Sequence, residues 1–309
     1  MHNSHPQRTP FKSSALNDWY HRGSYKELCG HTVFTLDEGD KNNPTVILIH
    51  GFPTSSFDFS GIWPTLLKHY RLVSLDMLGF GFSDKPNKRN YTIHLQADLF
   101  DALALELQLT EFHVLAHDYG VSVAQELLAR QVDATAKAKW LSCGLLNGGL
   151  FPETHQALLI QKLMLSRLGK WINKLTDFKQ FSASFSTVFG ADSKPTQTEL
   201  TEFWEVINFN DGRHVFHNLI TYMHDRLEHR SRWVNCLQHS PIPIALINGS
   251  LDPVSGRHLV ARYKQLNCRL DYLKELPTIG HYPQVEAADK VAKAYLNFLS
   301  TLPERTLSE

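Results

Sequence analysis

Uninterrupted apolar runs alternate with amphipathic stretches along most of the chain. The runs lie at residues 45–49, 71–75, 114–116, 140–146, 242–247 and 270–276, and two short strand-like segments at 25–28 and 32–36 precede them. Helical spacing of apolar residues occurs at 95–107, 121–128 and 288–299. Continuous apolar strands are typical of sheets that are covered on both faces. The alternation therefore predicts an α/β protein with a mostly parallel, twisted sheet and helices on both faces.

The pattern changes between residues 150 and 239, where the chain has helical spacing, is rich in Phe, Trp and Leu, and lacks a clear strand. We interpret this segment as a helical cap, inserted after the sixth strand and lying over the carboxyl edge of the sheet, where open α/β sheets bind ligands. The core domain then comprises residues 16–149 and 240–309. Residues 1–15 are polar and contain two prolines, so we expect a flexible N-terminus there.

The amino-acid composition limits the classes of partner that we expect for this protein. Lys and Arg together number 31, as do Asp and Glu, so the net charge is zero and neither nucleic acid nor an anionic membrane is expected as a partner. The locally basic stretch 226–232 is interpreted as a solvated helix face. Four widely spaced cysteines suit a reducing compartment. With no signal peptide or bilayer-spanning run in the sequence, we expect a cytoplasmic protein without a membrane segment, and a homodimer remains open.

One short stretch, residues 113–124, carries the pattern of a strand, a sharp turn and a helix. The apolar run ends at Ala116, the turn comprises His117, Asp118, Tyr119 and Gly120, and helical spacing follows. This is the pattern of a nucleophile elbow, with Asp118 where the better-known pattern has serine. The alternative is that Asp118 only caps the following helix, since aspartate favours that position.

Three chemically active side chains follow three different predicted strands. Asp118, Asp252 and His281 occur in the order nucleophile, acid, histidine, and all three are placed at the same edge of the sheet. Each also has a simpler explanation, because Asp252 precedes a proline in a turn and His281 is one of seventeen histidines. Their joint position nevertheless predicts a catalytic triad.

Residues 25–300 resemble the α/β-hydrolase family, specifically its aspartate-nucleophile branch of epoxide hydrolases and haloalkane dehalogenases. The resemblance rests on four segments, which are similar to the oxyanion loop, the loop after the next strand, the elbow and the histidine loop of that branch: residues 50–53, 79–86, 117–120 and 280–284. Residues 78–86, 147–155 and 210–212 extend the likeness into the cap, where they resemble one vertebrate member of the family.

The resemblance and the chemistry of a carboxylate imply the same two-step reaction. A carboxylate is ionised at neutral pH and can displace a leaving group from an sp³ carbon, which would leave an alkyl ester on Asp118. Water activated by His281, with Asp252 orienting the ring, would then hydrolyse this ester. The backbone N–H groups of Phe52 and Tyr119 would stabilise the resulting oxyanion.

The choice of leaving group rests on fewer residues. Epoxide hydrolases usually supply cap tyrosines as proton donors, and this cap segment contains one, Tyr222. An equally good explanation is that Tyr222 only packs its ring into the cap. A second cap tyrosine is missing, and three histidines are candidates for its role: His155, His214 and His217. Dehalogenases have a tryptophan after the nucleophile and a polar or tryptophan donor in the oxyanion loop, whereas this chain has Tyr119 and Phe52.

We therefore expect epoxide hydrolysis ahead of dehalogenation or ester hydrolysis, with water and a small to medium hydrophobic substrate as partners. Besides Tyr222, we expect His50, Phe151 and Trp204 to contact this substrate in a largely apolar pocket. No metal or other cofactor is expected, because the histidines form no ligand-like spacing. The alternative of a different class is a binding protein that has this fold but no turnover.

Overall fold

The computed structural model describes residues 11–87, 90–154 and 176–303. Its centre is an eight-stranded sheet in the order β1-β2-β4-β3-β5-β6-β7-β8. The strands are β1 (Ser24–Leu28), β2 (His31–Glu38), β3 (Thr45–Ile49), β4 (Arg71–Leu75), β5 (Glu111–Ala116), β6 (Lys139–Leu145), β7 (Ile244–Gly249) and β8 (Tyr272–Leu276). The β1–β2 and β2–β4 pairs are antiparallel and the rest are parallel. The predicted fold class is thus confirmed, with strand ends within three residues of those expected.

The helices are α1 (Ser14–Arg22), α2 (Trp63–Leu66), α3 (Ile93–Glu106), α4 (Tyr119–Val132), α5 (Phe178–Ser186), α6 (Gln197–Asn208), α7 (Phe216–Leu219), α8 (Tyr222–Glu228), α9 (Arg230–Gln238), α10 (Arg257–Gln265), α11 (Pro283–Glu286) and α12 (Ala288–Ser300). Short 3-10 turns occur at Ser56–Phe59, Pro152–Thr154 and Phe209–Val215. Among the described residues, no helix is both long and apolar enough to cross a membrane.

Alternating residues of the central strand β3 belong to two separate hydrophobic clusters. Ile47 and Ile49 pack on the face that is covered by α3, α4, α9 and α10. Val46 and Leu48 pack on the opposite face, under α1, α2 and α12. Successive side chains of a strand point to opposite faces, so a strand buried on both sides must be apolar at every position. This explains why β3 appears in the sequence as a continuous apolar run.

Helices α5 to α8 lie against loops at the carboxyl edge of the sheet. Phe216 and Tyr222 contact the ring of Phe52, which follows β3. Phe185 and Phe189 pack on Tyr282, which follows β8. These aromatic contacts place the segment after β6 directly above the strand ends that carry the predicted catalytic residues.

The last helix of the predicted cap belongs to the core layer. In α9, the Trp233 indole donates to Glu126 of α4 at 3.0 Å, and the Cys236 thiol contacts the Gln125 carbonyl at 3.3 Å. Within the segment that we predict to be the cap, α5 to α8 therefore lie above the strand ends, whereas α9 packs on α4. Spacing alone does not distinguish a helix that covers the sheet face from one that covers its edge.

The N-terminal boundary also differs from the expectation. The ring of Phe11 packs against Tyr20, Phe82 and Phe209. Ser13 caps α1 by accepting a hydrogen bond from the Leu16 N–H. The expectation of a flexible segment is therefore wrong for residues 11–15, while residues 1–10 lie outside the described residues. Aromatic packing against distant residues is not visible in local sequence polarity.

Candidate active site

Asp118 lies in the sharp turn between β5 and α4. Its φ of 47° and ψ of −108° are strained for any residue other than glycine. Two residues later, a Cβ on Gly120 would lie 2.4 Å from the Ile49 carbonyl oxygen, so only glycine allows α4 to approach β3 this closely. The Asp118 side chain makes no capping hydrogen bond to α4. The helix-cap explanation of this aspartate is therefore wrong, and the strand-turn-helix pattern holds the carboxylate away from its own helix.

The carboxylate of Asp118 is buried and contacts two groups from other loops. The Phe52 N–H donates to Oδ2 at 3.0 Å, and Nε2 of His281 lies 3.4 Å from Oδ1. The backbone N–H of Asp118 donates to the Asn147 carbonyl at 2.7 Å, which fixes the turn against the end of β6. Loops after β3, β6 and β8 therefore converge on Asp118 in the loop after β5.

Asp252 holds the other side of the imidazole. Nδ1 of His281 lies 2.7 Å from Oδ2 of Asp252. The same carboxylate accepts hydrogen bonds from Asn147 Nδ2 at 2.9 Å, from the Ser255 hydroxyl at 2.5 Å and from the Val254 N–H at 2.7 Å. The structure thus brings Asp118, Asp252 and His281 together in the geometry of a triad, with each member buried.

The charges of the triad stabilise one another. Burial would lower the pKa of His281, but the carboxylates of Asp252 and Asp118 outweigh it and raise the pKa to about 10. Burial would raise the pKa of Asp118, but His281 lowers it well below the usual value, with smaller contributions from His117 and Arg226. In the free protein the site therefore holds an imidazolium between two carboxylates.

Glu286 fixes the loop that carries His281. Its Oε2 accepts hydrogen bonds from the Gly280 N–H and the Gly190 N–H, each at 2.8 Å. The N–H of His281 itself donates to the Val188 carbonyl at 2.8 Å. We call these contacts the Glu286 clamp. They join the histidine loop to the segment between α5 and α6, which the sequence analysis did not anticipate.

The two proposed oxyanion donors are placed differently with respect to Asp118. The Phe52 N–H points at the carboxylate, and the Phe52 carbonyl accepts a hydrogen bond from the Tyr282 hydroxyl at 3.1 Å. Tyr119 is the first residue of α4, so its N–H has no hydrogen-bond acceptor within the helix. The Phe52 N–H therefore contacts the carboxylate directly, whereas the Tyr119 N–H belongs to the residue that follows Asp118.

Tyr222 of α8 lies beside the elbow. Its ring centroid is 4.7 Å from that of Tyr119 and 6.4 Å from that of Phe52. The hydroxyl is buried and makes no hydrogen bond of normal geometry. Burial raises its pKa, while the neighbouring guanidinium of Arg226 opposes this rise. A buried hydroxyl that keeps its proton and has no acceptor is available to donate to a ligand.

Arg226 is a site residue that the sequence analysis missed. It is 2% exposed, its Nε donates to the Ser122 hydroxyl at 2.7 Å, and its Nη2 donates to the Asp118 carbonyl at 3.3 Å. The interpretation of the basic stretch as a solvated face is therefore wrong for this residue. Arg226 follows Tyr222 by four positions, so both lie on one face of α8. This four-residue spacing from Tyr222 is the sequence feature that could have identified Arg226 as a site residue.

His50 does not reach the site as expected. Its Nδ1 donates to the Gly51 carbonyl at 2.8 Å, and its Nε2 accepts from the Met77 N–H at 2.9 Å. Burial lowers its pKa, so the ring is neutral and both nitrogens are occupied. These contacts give no support to the expected contact of His50 with substrate, and they connect the oxyanion loop to the loop after β4.

Phe151 and Trp204 are also directed elsewhere. Phe151 is fully buried and packs against Tyr263 of α10. Trp204 of α6 contacts the rings of Phe178 and Phe181 and the guanidinium of Arg213. The prediction that these two side chains line the pocket has no support from these contacts. Both are large apolar residues of a helical segment, a property that core and pocket residues share.

The histidines considered as substitutes for a second tyrosine are not brought to the triad by any described contact. The ring of His214 contacts the backbone carbonyls of Lys85 and Asp211. His217 lies at α7, and His155 lies outside the described residues. Within the described ranges, no group of three His, Cys, Asp or Glu side chains is arranged to hold a metal ion.

Comparison with known proteins decides the family. Residues 44–288 match the alpha/beta hydrolase fold family, which covers most of the chain. The chain belongs to the α/β-hydrolases. Within this family it is similar to the mesoderm-specific transcript protein of Mus musculus, with 39% identity over 97% of this chain and 91% of that protein. This is the vertebrate member that the cap motifs resemble.

Two further relatives of this α/β-hydrolase broaden the comparison. A putative hydrolase, LipZ, of Mycobacterium tuberculosis is 34% identical over 93% of this chain and 99% of its own length. The crystal structure of the haloalkane dehalogenase DbeA from Bradyrhizobium elkani superposes with a TM-score of 0.76 at 19% identity, covering 90% of this chain and 97% of that chain. At this identity the structural likeness shows the fold alone.

Proposed function

We propose that this protein is a cofactor-independent hydrolase that uses Asp118 as its nucleophile and forms a covalent alkyl ester with a small to medium hydrophobic substrate. The observation that carries this proposal is the contact of Asp118 with its two neighbours, the Phe52 N–H at 3.0 Å and the imidazole of His281 at 3.4 Å. The lowered pKa of Asp118 keeps the carboxylate ionised and ready to attack an sp³ carbon without a base.

The proposed first step opens an epoxide. One oxygen of Asp118 bonds to a ring carbon, the carbon–oxygen bond of the ring breaks, and the released oxygen takes the proton of the Tyr222 hydroxyl. This assignment is supported by the burial of that hydroxyl, its lack of a hydrogen-bond acceptor and its position beside Tyr119 and Phe52. The products are a hydroxyalkyl ester on Asp118 and a tyrosinate, which then takes a proton from the imidazolium of His281 and leaves that ring neutral.

The proposed second step hydrolyses the ester. Water attacks the ester carbonyl carbon of Asp118 as the ring of His281, now neutral, takes a proton from that water, and the oxyanion accepts hydrogen bonds from the N–H groups of Phe52 and Tyr119. The raised pKa of His281 suits this order of events. Esterification removes the charge of Asp118, which lowers the pKa of the imidazole towards the range of an effective base. Asp252 holds the ring throughout. Collapse of the intermediate releases the diol, whose departing oxygen takes the proton from His281, and the carboxyl group of Asp118 then returns its own proton to the ring.

Epoxides are proposed ahead of haloalkanes because of the side chains that flank the nucleophile. A departing halide is stabilised by side-chain N–H donors, and neither Tyr119 nor Phe52 supplies one. The same carboxylate and imidazole would also serve dehalogenation or ester hydrolysis, so these reactions are alternative outcomes of the experiment below. A binding protein without turnover is the alternative outside the enzyme class.

The test is a covalent trap. In His281→Gln, Asp118 still attacks, but the ester is no longer hydrolysed, so intact-mass spectrometry should show an adduct after incubation with a panel of epoxides, haloalkanes and esters. An epoxide adds its whole mass, whereas a haloalkane adds only its alkyl group, less one hydrogen. The exposed His239→Gln is the matched control and should turn over without accumulating an adduct. Asp118→Asn should form none.

Other outcomes would change the proposal. Halide release with no diol from any epoxide would assign the protein as a dehalogenase. The absence of both adduct and turnover across the panel would favour the binding protein.

A further inference from the structure

The guanidinium of Arg226 is a buried charge with no carboxylate in direct contact. Among the residues that the structure describes, no carboxylate oxygen lies within 4.0 Å of its nitrogens. Its two hydrogen-bond partners, the Ser122 hydroxyl and the Asp118 carbonyl, are both neutral groups. A buried charge is costly unless an opposite charge pairs with it. The charge of Asp118 acts on it only from beyond 4.0 Å, so the free protein lacks a direct ion pair at this position.

The parts of the chain outside the described ranges offer no carboxylate from the cap. Residues 155–175 contain neither Asp nor Glu, and the same is true of residues 1–10 and 88–89. Acidic residues outside the described ranges occur only in the C-terminal segment, at Glu304 and Glu309. A carboxylate in direct contact with this guanidinium would therefore come from a ligand.

The orientation of the guanidinium leaves one buried nitrogen, Nη1, as a donor for such a ligand. The edge formed by Nε and Nη2 faces Ser122 and the Asp118 carbonyl, whereas Nη1 is buried and has no hydrogen-bond partner. The plane is held in place by the ring of Tyr222, whose centroid lies 4.4 Å from Cζ. The planar edge formed by Nη1 and the second N–H of Nη2 matches the two oxygens of a carboxylate.

The position of this group restricts where on a substrate the anion would lie. Because Nη2 touches the backbone carbonyl of Asp118, the guanidinium is next to the residue that we propose as the nucleophile. The two carboxylates and the one imidazolium of the triad would otherwise repel an anionic substrate. The positive charge of Arg226 brings the summed charge of these three groups and the guanidinium to zero.

We propose that Arg226 binds a carboxylate group of the substrate, so that the enzyme acts on small organic acids whose electrophilic carbon is close to the carboxylate. The reaction on that carbon rests on the proposed function, but the recognition of the acid does not require turnover. The apolar part of the substrate then packs against Phe52 and Phe216, whose rings contact each other near Tyr222.

Equilibrium binding tests this inference without any reaction. Calorimetry at constant ionic strength should show that butanoate binds the full-length protein about tenfold more tightly than butanamide, since hydrogen bonds to a charged partner differ from neutral ones by about this factor. Arg226→Met should abolish the difference. Arg226→Lys should keep part of it, because the charge remains but the planar fork is lost. The exposed Arg257→Met is the matched control and should bind as the wild type does.

A second variant locates the bound acid. In Asp118→Asn the negative charge of the nucleophile is removed, so butanoate should bind more tightly while butanamide is unaffected. A carboxylate bound elsewhere on the surface would not respond to this change.

Equal affinities of the wild type for the acid and the amide would overturn the proposal. The same conclusion follows if a folded Arg226→Met protein, checked by circular dichroism, still prefers the acid. Should the Met variant not fold, Arg226→Lys provides the test. If this variant prefers butanoate over butanamide as strongly as the wild type does, the planar guanidinium does not bind the carboxylate. If acids bind as expected but no adduct forms in the His281→Gln trap, the acid-binding site stands and the hydrolase proposal fails.

Discussion

Tyr222 and Arg226 approach the elbow from one face of α8, and at the scale of single residues their roles can be separated. We expect Tyr222→Phe to slow the alkylation of Asp118 by epoxides by about 10²–10⁴-fold, the usual contribution of a positioned proton donor. Haloalkanes and activated esters, whose leaving groups need no proton, should react at an unchanged rate. The measurement is the single-turnover rate of adduct formation in the His281→Gln background.

Tyr272→Phe serves as the matched control for this experiment. Tyr272 lies on β8 and contacts Phe298, away from the triad, so its substitution should alter neither class of substrate. Equal slowing of epoxides and haloalkanes in Tyr222→Phe would show that the ring positions the elbow and that its hydroxyl donates no proton.

The residues of the triad could be predicted individually, whereas most of their neighbours could not. Asp118, Asp252 and His281 each follow a strand that is recognisable by its apolar run, and strand order fixes the edge at which they meet. His50 was expected beside the substrate, but both of its ring nitrogens bind backbone groups that come close only in the folded chain. Arg226 was missed because a charged residue in a basic stretch is usually solvated.

At the scale of elements, α4 carries the nucleophile and is fixed to α9 by one buried carboxylate. Glu126 accepts hydrogen bonds from Arg232 and Trp233, each at 3.0 Å, and from Arg130 at 3.1 Å. Glu126→Ala should lower the free energy of unfolding by about 3 kcal/mol, because it leaves buried donors and charges without their partner. Urea denaturation followed by circular dichroism measures this change.

The control for this prediction is Glu106→Ala. Glu106 ends α3 and pairs only loosely with Lys26 at 3.6 Å, with its side chain 56% exposed, so its loss should change the stability by no more than about 0.5 kcal/mol. If the two variants are equally stable, the network does not hold α4 and α9 together.

The boundaries of elements show where local patterns stop being informative. Strands that are buried on both faces must be apolar throughout, so β3 and β4 were located at their observed ends. The helices after β6 share one kind of spacing. Their division into those above the strand ends and α9 on the sheet face depends on contacts such as Trp233 with Glu126, which connect residues far apart in sequence.

At the scale of the whole molecule, the charges of the triad link folding to pH. The pKa of His281 rises from 6.5 to about 10 in the folded protein, so its stabilising contribution is complete below pH 6.5 and is lost as the pH rises through about 10. We therefore expect the stability advantage of the wild type over His281→Gln to shrink between these pH values. Urea midpoints at intervals from pH 6 to 10 would show this, and parallel curves for the two proteins would contradict it.

The Glu286 clamp has a consequence for how a substrate enters. The carboxylate of Glu286 is shared between Gly190 and Gly280, so lifting the segment around residue 190 would drag the histidine loop with it and separate the imidazole from Asp252. The segment around residue 190 is therefore expected to keep its position during the reaction. We therefore expect a substrate to enter from the opposite side of the site. The side formed by the Glu286 clamp stays fixed, and it carries His281, the catalytic base.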